Sequence, residues 1–214
     1  MTNSSETVAK ILLKIKAISL NPKEPFRYDS GILSPVYIDN RLLISYPEER
    51  KIIRDLYIES MNSTGQQFDL IAATATAGIP HAAWVADKLN LPMVFVRGKA
   101  KDHGKKNRVE GVVKKRAKTA VIEDLISTGE SSIETAKAVI GTGGEVSYIF
   151  AIITYGMKKA DENFKANNLK LITLTTFADV LEIAEKSGQI SGKEKEIILD
   201  WTKDPESWGK KNGF

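Results

Sequence analysis

The 214-residue chain contains no cysteine. That excludes disulfides, thiolate metal sites and a thiol nucleophile. It has two histidines, too few for a multi-histidine metal centre. Aromatic residues make up only 7% of the chain. No apolar run approaches the ~20 residues that a membrane span requires, and Pro80 and His81 interrupt one of the most apolar stretches. Met1 to Glu6 carries no basic segment leading into an apolar run, so a signal peptide is not expected and a cytoplasmic location is. Internal repeats and low-complexity tracts are also lacking. Nor is there a large excess of one charge. Lys and Arg number 31 against 27 Asp and Glu, a net of +4. That total alone is compatible with nucleic acid, a membrane surface or an anionic metabolite.

What is present is ordinary for a globular protein: 42% hydrophobic and 27% charged residues, in a length that fits one domain able to bury a core. Val8, Ile11, Leu12, Ile15 and Ile18 recur at helical spacing, which predicts an amphipathic docking helix. Residues 26–39 place aromatic and β-branched runs around Ser30-Gly31 and Ser34-Pro35 and predict a hairpin. Ser45 as N-cap, Pro47 and Glu48 announce a helix that Gly65 stops. Strand and helix patterns then alternate: strands at 70–73, 93–96, 119–122, 146–154 and 169–174, with helices at 79–89, up to about residue 140, and through Val180, Ile183 and Ala184. This predicts an α/β fold with a mostly parallel sheet covered on both faces. Ligands bind such sheets at the carboxyl ends of the strands. The loops after Ala73, Val96, Ile122 and Thr154 are therefore the candidate site. Ile190, Ile197, Ile198 and Trp201 suggest that residues 186–214 pack on the body, with no functional reading.

One segment stands out. In Thr119-Ala120-Val121-Ile122-Glu123-Asp124-Leu125-Ile126-Ser127-Thr128-Gly129-Glu130-Ser131-Ser132 an apolar strand ends in two carboxylates, and a hydroxyl- and glycine-bearing turn opens a helix. Backbone N–H groups at such a start make an anion site, and Gly129 allows close approach of a phosphate. The carboxylates could bind a sugar's hydroxyls or a metal's water shell. It is neither a Walker loop nor a dinucleotide fingerprint. The plainer alternative is Thr128 as a simple helix cap beside solvated acids. A second segment, 97–118, holds ten cations against Asp102 and Glu110, a local net of +8, leaving −4 elsewhere. It reads as a solvated charge run, a nucleic-acid contact or a lid for a polyanion, and no aromatic interleaving supports nucleic acid.

The segment from Val121 to Gly129 resembles the 5-phosphoribosyl-1-pyrophosphate (PRPP) motif of type I phosphoribosyltransferases. Arg97-Gly98-Lys99-Ala100-Lys101-Asp102-His103-Gly104 is similar to the flexible catalytic loop of the orotate branch of that family. Phe26, Ser30-Gly31, Ser34-Pro35, Tyr37, Asp39 and Arg41 are similar to its N-terminal segment, and 75–80 to its second loop. The resemblance spans residues 26–156. It implies a single domain with a hood at 1–45 and a flexible loop at 97–118, and conversion of orotate and PRPP to orotidine monophosphate and pyrophosphate in pyrimidine biosynthesis. By the same resemblance Lys101 and Asp124 are catalytic. PRPP meets Arg97, Lys101, His103, Glu123, Asp124, Leu125, Ile126, Ser127, Thr128, Gly129, Glu130 and Ser131. Orotate meets Ser127, Ser34, Pro35 and Tyr37. Mg²⁺ is carried mainly by PRPP, with Asp124 acting through water and no dedicated protein metal site. The resemblance further implies a homodimer whose basic loop completes the neighbour's site, and neither nucleic acid nor membrane is expected as a partner. Gly98, Glu130, Asp29, Tyr155 and Ala77 depart from the family's usual residues, the last three implying different orotate and pyrophosphate contacts. The alternatives are a regulator on the same fold or a transferase for another base.

Overall fold

The computed structural model describes residues 4–28, 30–98 and 108–214. Helix α1 (Ser4–Lys14) buries Val8, Ala9, Ile11 and Leu12. It is shorter than the apolar spacing predicts. Lys16 adopts a left-handed φ of 58°, and Ile18 opens strand β1 (Ile18–Leu20) instead of closing the helix. Strands β2 (Phe26–Arg27), β3 (Leu33–Ser34) and β4 (Val36–Ile38) follow. The expected hairpin exists as β2 on β3, but β4 returns to pair with β1. A 3-10 helix, Asn40–Ser45, is capped by Asp39, whose side chain accepts from the Arg41 N–H. Helix α2 (Pro47–Ser63) starts at Pro47 as predicted, but its N-cap is Tyr46, without a side-chain cap. Ser45 ends the 3-10 helix and cannot cap α2.

The remaining elements are β5 (Leu70–Thr74), α3 (Gly78–Leu89), β6 (Met93–Val96), β7 (Val109–Glu110), β8 (Lys118–Ile126), α4 (Glu130–Gly141), β9 (Glu145–Thr154), α5 (Lys158–Ala166), β10 (Lys170–Thr176), α6 (Phe177–Lys186), α7 (Gly192–Lys203) and α8 (Pro205–Lys211). They build a six-stranded sheet in the order β10-β9-β8-β5-β6-β7. All its pairs are parallel except β7 on β6. The mixed α/β architecture with a mostly parallel sheet is the one predicted. Both faces are buried, which is why the strands read as unbroken apolar runs. Ala73, Ile122, Phe150 and Ile152 face a core shared with α1, α2, α3 and α6. Ala72, Val121, Ile149 and Ala151 face a second core with Ile133, Ala136 and Val139 of α4 and Phe164 of α5. Helix α5 escaped the sequence reading because it is almost all polar, burying only Ala160 and Phe164.

The basic segment is divided. Arg97 and Arg108 bond through their backbones, Arg97 N–H to Arg108 C=O at 2.9 Å, and β7 carries the chain back along β6. The chain must return because β8 runs parallel to its neighbours and starts at their amino end. Lys114, Lys115 and Arg116 therefore line a hollow with Asp69 and Pro92, and Lys118 sits opposite Glu145. Four of the ten cations lie at the wrong end of the sheet to serve one lid over 97–118.

Among the described residues no helix is long and apolar enough to cross a membrane. The C-terminal helices do pack on the body. Trp208 is buried, its indole N–H donating to Ile197 C=O at 2.8 Å, and Gly209 meets Leu33. Trp208→Ala is expected to cost about 3–5 kcal/mol, read as a lowered urea midpoint. An unshifted midpoint would contradict this packing.

Candidate active site

Three cavities adjoin at the carboxyl end of the sheet. The largest, about 880 Å³, is walled by Tyr28, Tyr37, Tyr155 and Trp201, with Ser127 and Thr128 on one side and Lys158, Lys159 and Lys203 also in its lining. The rings interlock edge to face: Tyr155 and Trp201 lie 5.2 Å apart, Tyr28 and Trp201 6.2 Å. The Trp201 indole N–H donates to Leu33 C=O at 3.0 Å. The Tyr28 hydroxyl donates to Val36 C=O at 2.8 Å and lies 3.4 Å from that of Tyr155. Burial and the Tyr28 hydroxyl raise the Tyr155 pKa, so it is a neutral hydroxyl. A flat, mostly apolar ligand with polar edges suits such a wall.

The second cavity, about 290 Å³, holds the acidic pair and the turn: residues 74–77 on one side, 123–132 on the other. It shares Leu125, Ser127 and Thr128 with the first. Gly129 is the N-cap of α4 at φ 78°, with no side-chain cap. Thr128 therefore does not cap the helix, and the amides of its first turn stay open toward the cavity. A Cβ on Gly129 would come within 2.4 Å of the Phe164 ring, so both backbone and space require glycine. Gly78, at the start of α3, is constrained by space alone, since a Cβ there would meet Ile122 C=O at 2.6 Å. The Asn163 side-chain amide donates to Thr128 C=O at 2.9 Å and fixes the turn.

The acids are not solvated either. Glu123 is 6% exposed. Burial, then the neighbouring Asp124 charge, push its pKa well up, and burial raises Asp124 as well. Two adjacent buried like charges are unfavourable in the empty site. They suit a ligand that brings hydroxyl donors or a cation.

The third cavity, about 250 Å³, adds Arg97, Gly98 and Arg108 and shares Thr74, Ala75, Glu130 and Ser131 with the second. Arg97 lies 3.5 Å from Glu110, and Arg108 lies 3.4 Å from Glu134. Glu130 is exposed at the boundary.

The predicted residues fall out as follows. Arg97, Glu123, Asp124, Leu125, Ser127, Thr128, Gly129, Glu130, Ser131 and Tyr37 line this cleft. Ile126 lines it too, although its side chain is buried in the core. Ser34 and Pro35 do not line the base-sized cavity. They are buried, and the Ser34 hydroxyl is spent on Val36, donating to its C=O at 2.7 Å. Lys101 and His103 lie outside the described residues. Tyr28, Tyr155, Trp201 and Thr202 were not singled out as lining residues. Trp201 at least carried a signal, a large apolar residue isolated among charges. His81 is buried against Tyr57 and Trp84, and burial drops its pKa to about 4.

The architecture is that of a phosphoribosyltransferase: the family model of the phosphoribosyl transferase domain matches residues 43–185, which take in β5, the acidic pair and its loop. An orotate phosphoribosyltransferase of Coxiella burnetii is 48% identical over 206 residues, 96% of this chain and 99% of its own. One of Enterococcus faecalis is 48% identical over 210 residues, 98% of this chain and 100% of its own. The solved orotate phosphoribosyltransferase of Aeropyrum pernix matches with a TM-score of 0.74 at 28% identity, over 86% of this chain and 99% of that one. The chain belongs to the orotate phosphoribosyltransferase family.

The buried acid makes stability depend on pH. Its folded pKa lies above the ~4.3 of a free glutamate, so the folded state binds its proton more tightly. Its contribution is fully present below that value and is lost as pH rises through the folded pKa. Glu123→Gln cannot ionise. The melting temperature of the variant minus that of the parent, both without ligand, is expected to grow from pH 4 to pH 8. A constant or falling difference would contradict a raised Glu123.

Proposed function

We propose that the chain transfers the phosphoribosyl group of PRPP to orotate, yielding orotidine monophosphate and pyrophosphate, a step of pyrimidine biosynthesis. The observation that carries this reading is the cleft itself. An aromatic cavity, an acid-and-hydroxyl cavity and a cavity lined by Arg97 and Arg108 adjoin in the order in which base, ribose and pyrophosphate are joined in the reaction. The near full-length relatives are named for this reaction.

In this reading the bond from ribose C1 to pyrophosphate breaks as orotate N1 attacks from the opposite face and gives up its proton. Positioning and stabilisation of the departing charge supply most of the acceleration. Glu123 and Asp124 take the ribose hydroxyls, and the turn 125–131 takes the 5-phosphate on the open amides of α4. Arg97, Lys101 and His103 take the pyrophosphate, with Lys101 stabilising its developing charge. Orotate stacks in the aromatic cavity beside Ser127 and Tyr37, with Ser34 and Pro35 supporting the wall from behind. Residues 1–45 act as the hood over this cavity.

Among the described residues no three acid or imidazole groups converge as a metal cage. Asp124 beside the cleft suits a hydrated Mg²⁺ whose other ligands are substrate oxygens. When bound, that ion neutralises pyrophosphate charge. The exposed apolar side chains Leu42, Ile44, Tyr46 and Ile52 support a homodimer in which the basic loop completes the neighbour's site. The working location is the cytoplasm.

Orotate absorbance should fall when PRPP and Mg²⁺ are both supplied, and stay constant without PRPP. Consumption of adenine, guanine, hypoxanthine or uracil in place of orotate would overturn the substrate. Lys101→Ala is expected to lose on the order of 3 kcal/mol of transition-state stabilisation. An unchanged turnover number would remove Lys101 from the chemistry.

A further inference from the structure

The backbone of the acidic pair is held by a strand on one side only: β9 runs alongside, with Glu123 opposite Ala151. Strand β5 pairs with β8 only as far as Ala73 opposite Ile122, so no β5 partner faces Glu123 or Asp124. Their polar backbone groups are buried and need partners. The Asp124 N–H donates to Glu123 Oε1 at 3.1 Å. The Asp124 C=O accepts from the Asn40 side-chain amide at 3.0 Å. The Glu123 C=O accepts from the Tyr57 hydroxyl at 2.6 Å. Asn40 comes from the 3-10 helix and Tyr57 from α2, and both are fully buried.

Adjacent residues on a strand point to opposite faces, yet Glu123 and Asp124 both line the same 290 Å³ cavity. The direction of each carboxylate there follows from the orientation of the peptides at this strand end. The two bonds from Asn40 and Tyr57 are made to the carbonyls of those two residues. Asn40 also bears a cost. Its Oδ1 is buried with no hydrogen-bond partner among the described residues, a deficit of about 1–3 kcal/mol that an apolar residue of the same size would avoid. An amide kept at that cost is kept for its donor.

We infer that Asn40 and Tyr57 are positioning residues that hold the Glu123–Asp124 peptides in the twist that turns both carboxylates toward the ribose hydroxyls. The inference rests on the phosphoribosyl reading above. It makes the hood and α2, and not only β8 and its turn, responsible for affinity toward the sugar. Neither side chain needs to touch a substrate for this.

The test is direct PRPP binding by calorimetry in the presence of Mg²⁺, together with separate KM values for PRPP and orotate. Tyr57→Phe keeps the ring and removes only the donor. Asn40→Ala removes the amide, and Asn40→Ser is a milder substitute should the alanine variant not fold. Ile53→Val, on the same helix and equally buried, is the control for simple loss of packing. Tyr57→Phe and the Asn40 variant should each weaken PRPP binding about tenfold and raise the PRPP KM in step. The orotate KM should move less than twofold, and Ile53→Val should leave PRPP affinity unchanged. PRPP affinity within twofold of the parent in both variants, or an equal loss in Ile53→Val, would overturn the inference. A parent protein that binds PRPP but consumes no orotate would instead contradict the proposed substrate and leave the positioning role standing.

Discussion

Two carboxylates side by side at the end of a buried strand are the constraint around which this molecule is organised. Burial raises both, and the Asp124 charge raises Glu123 further. Nothing in the core gains from them. Around them the Asp124 and Glu123 carbonyls are taken up by the Asn40 and Tyr57 side chains, the turn is fixed by a glycine that Phe164 admits no other residue to replace, and α4 opens without a side-chain cap. The fold accepts an unfavourable arrangement in the empty state, and a ligand with hydroxyl donors and a phosphate relieves it.

The cleft on either side of this pair divides its work by chemistry. On one side aromatic rings exclude water and leave hydroxyls at the edges. On the other, Arg97 and Arg108 line the cavity, each paired with a glutamate. The C-terminal helices belong to this design, because Trp201 forms a wall of the aromatic cavity and is tied to Leu33 of the N-terminal segment. The N-terminal segment and the C-terminal helices thus line the same cavity. Tyr155 occupies the end of β9 within that wall, so hydroxyls and rings, not a guanidinium, meet the ligand there.

The central features were legible in the sequence because they are contiguous. The strand, the acids, the Thr-Gly turn and the helix start all lie within 119–132, and two-sided burial makes each parallel strand visible as an apolar run. What was hidden is what distant segments contribute. Asn40 meets Asp124 across 84 positions of sequence and Tyr57 meets Glu123 across 66, and Trp201 meets Leu33 across 168, separations on which local periodicity is silent. Ser34 sat in a motif that resembles a base-binding one, yet its hydroxyl closes on its own turn. The basic run 97–118 reads as one unit in sequence, but the return of β7 sends Lys114, Lys115, Arg116 and Lys118 to the far end of the sheet. The +4 of the whole chain therefore describes neither a basic surface nor a single cationic lid. Among the run's described residues, Arg97, Gly98 and Arg108 adjoin the cleft.

The protonation state of Glu123 in solution tests this account most directly. Carbon-13 NMR titration of the side-chain carboxyl, with and without PRPP and Mg²⁺, reads it at the atom concerned. A midpoint well above that of an ordinary glutamate in the free protein, moving on addition of PRPP, is the result the buried pair predicts. An ordinary midpoint near ~4.3 that ignores PRPP would contradict it.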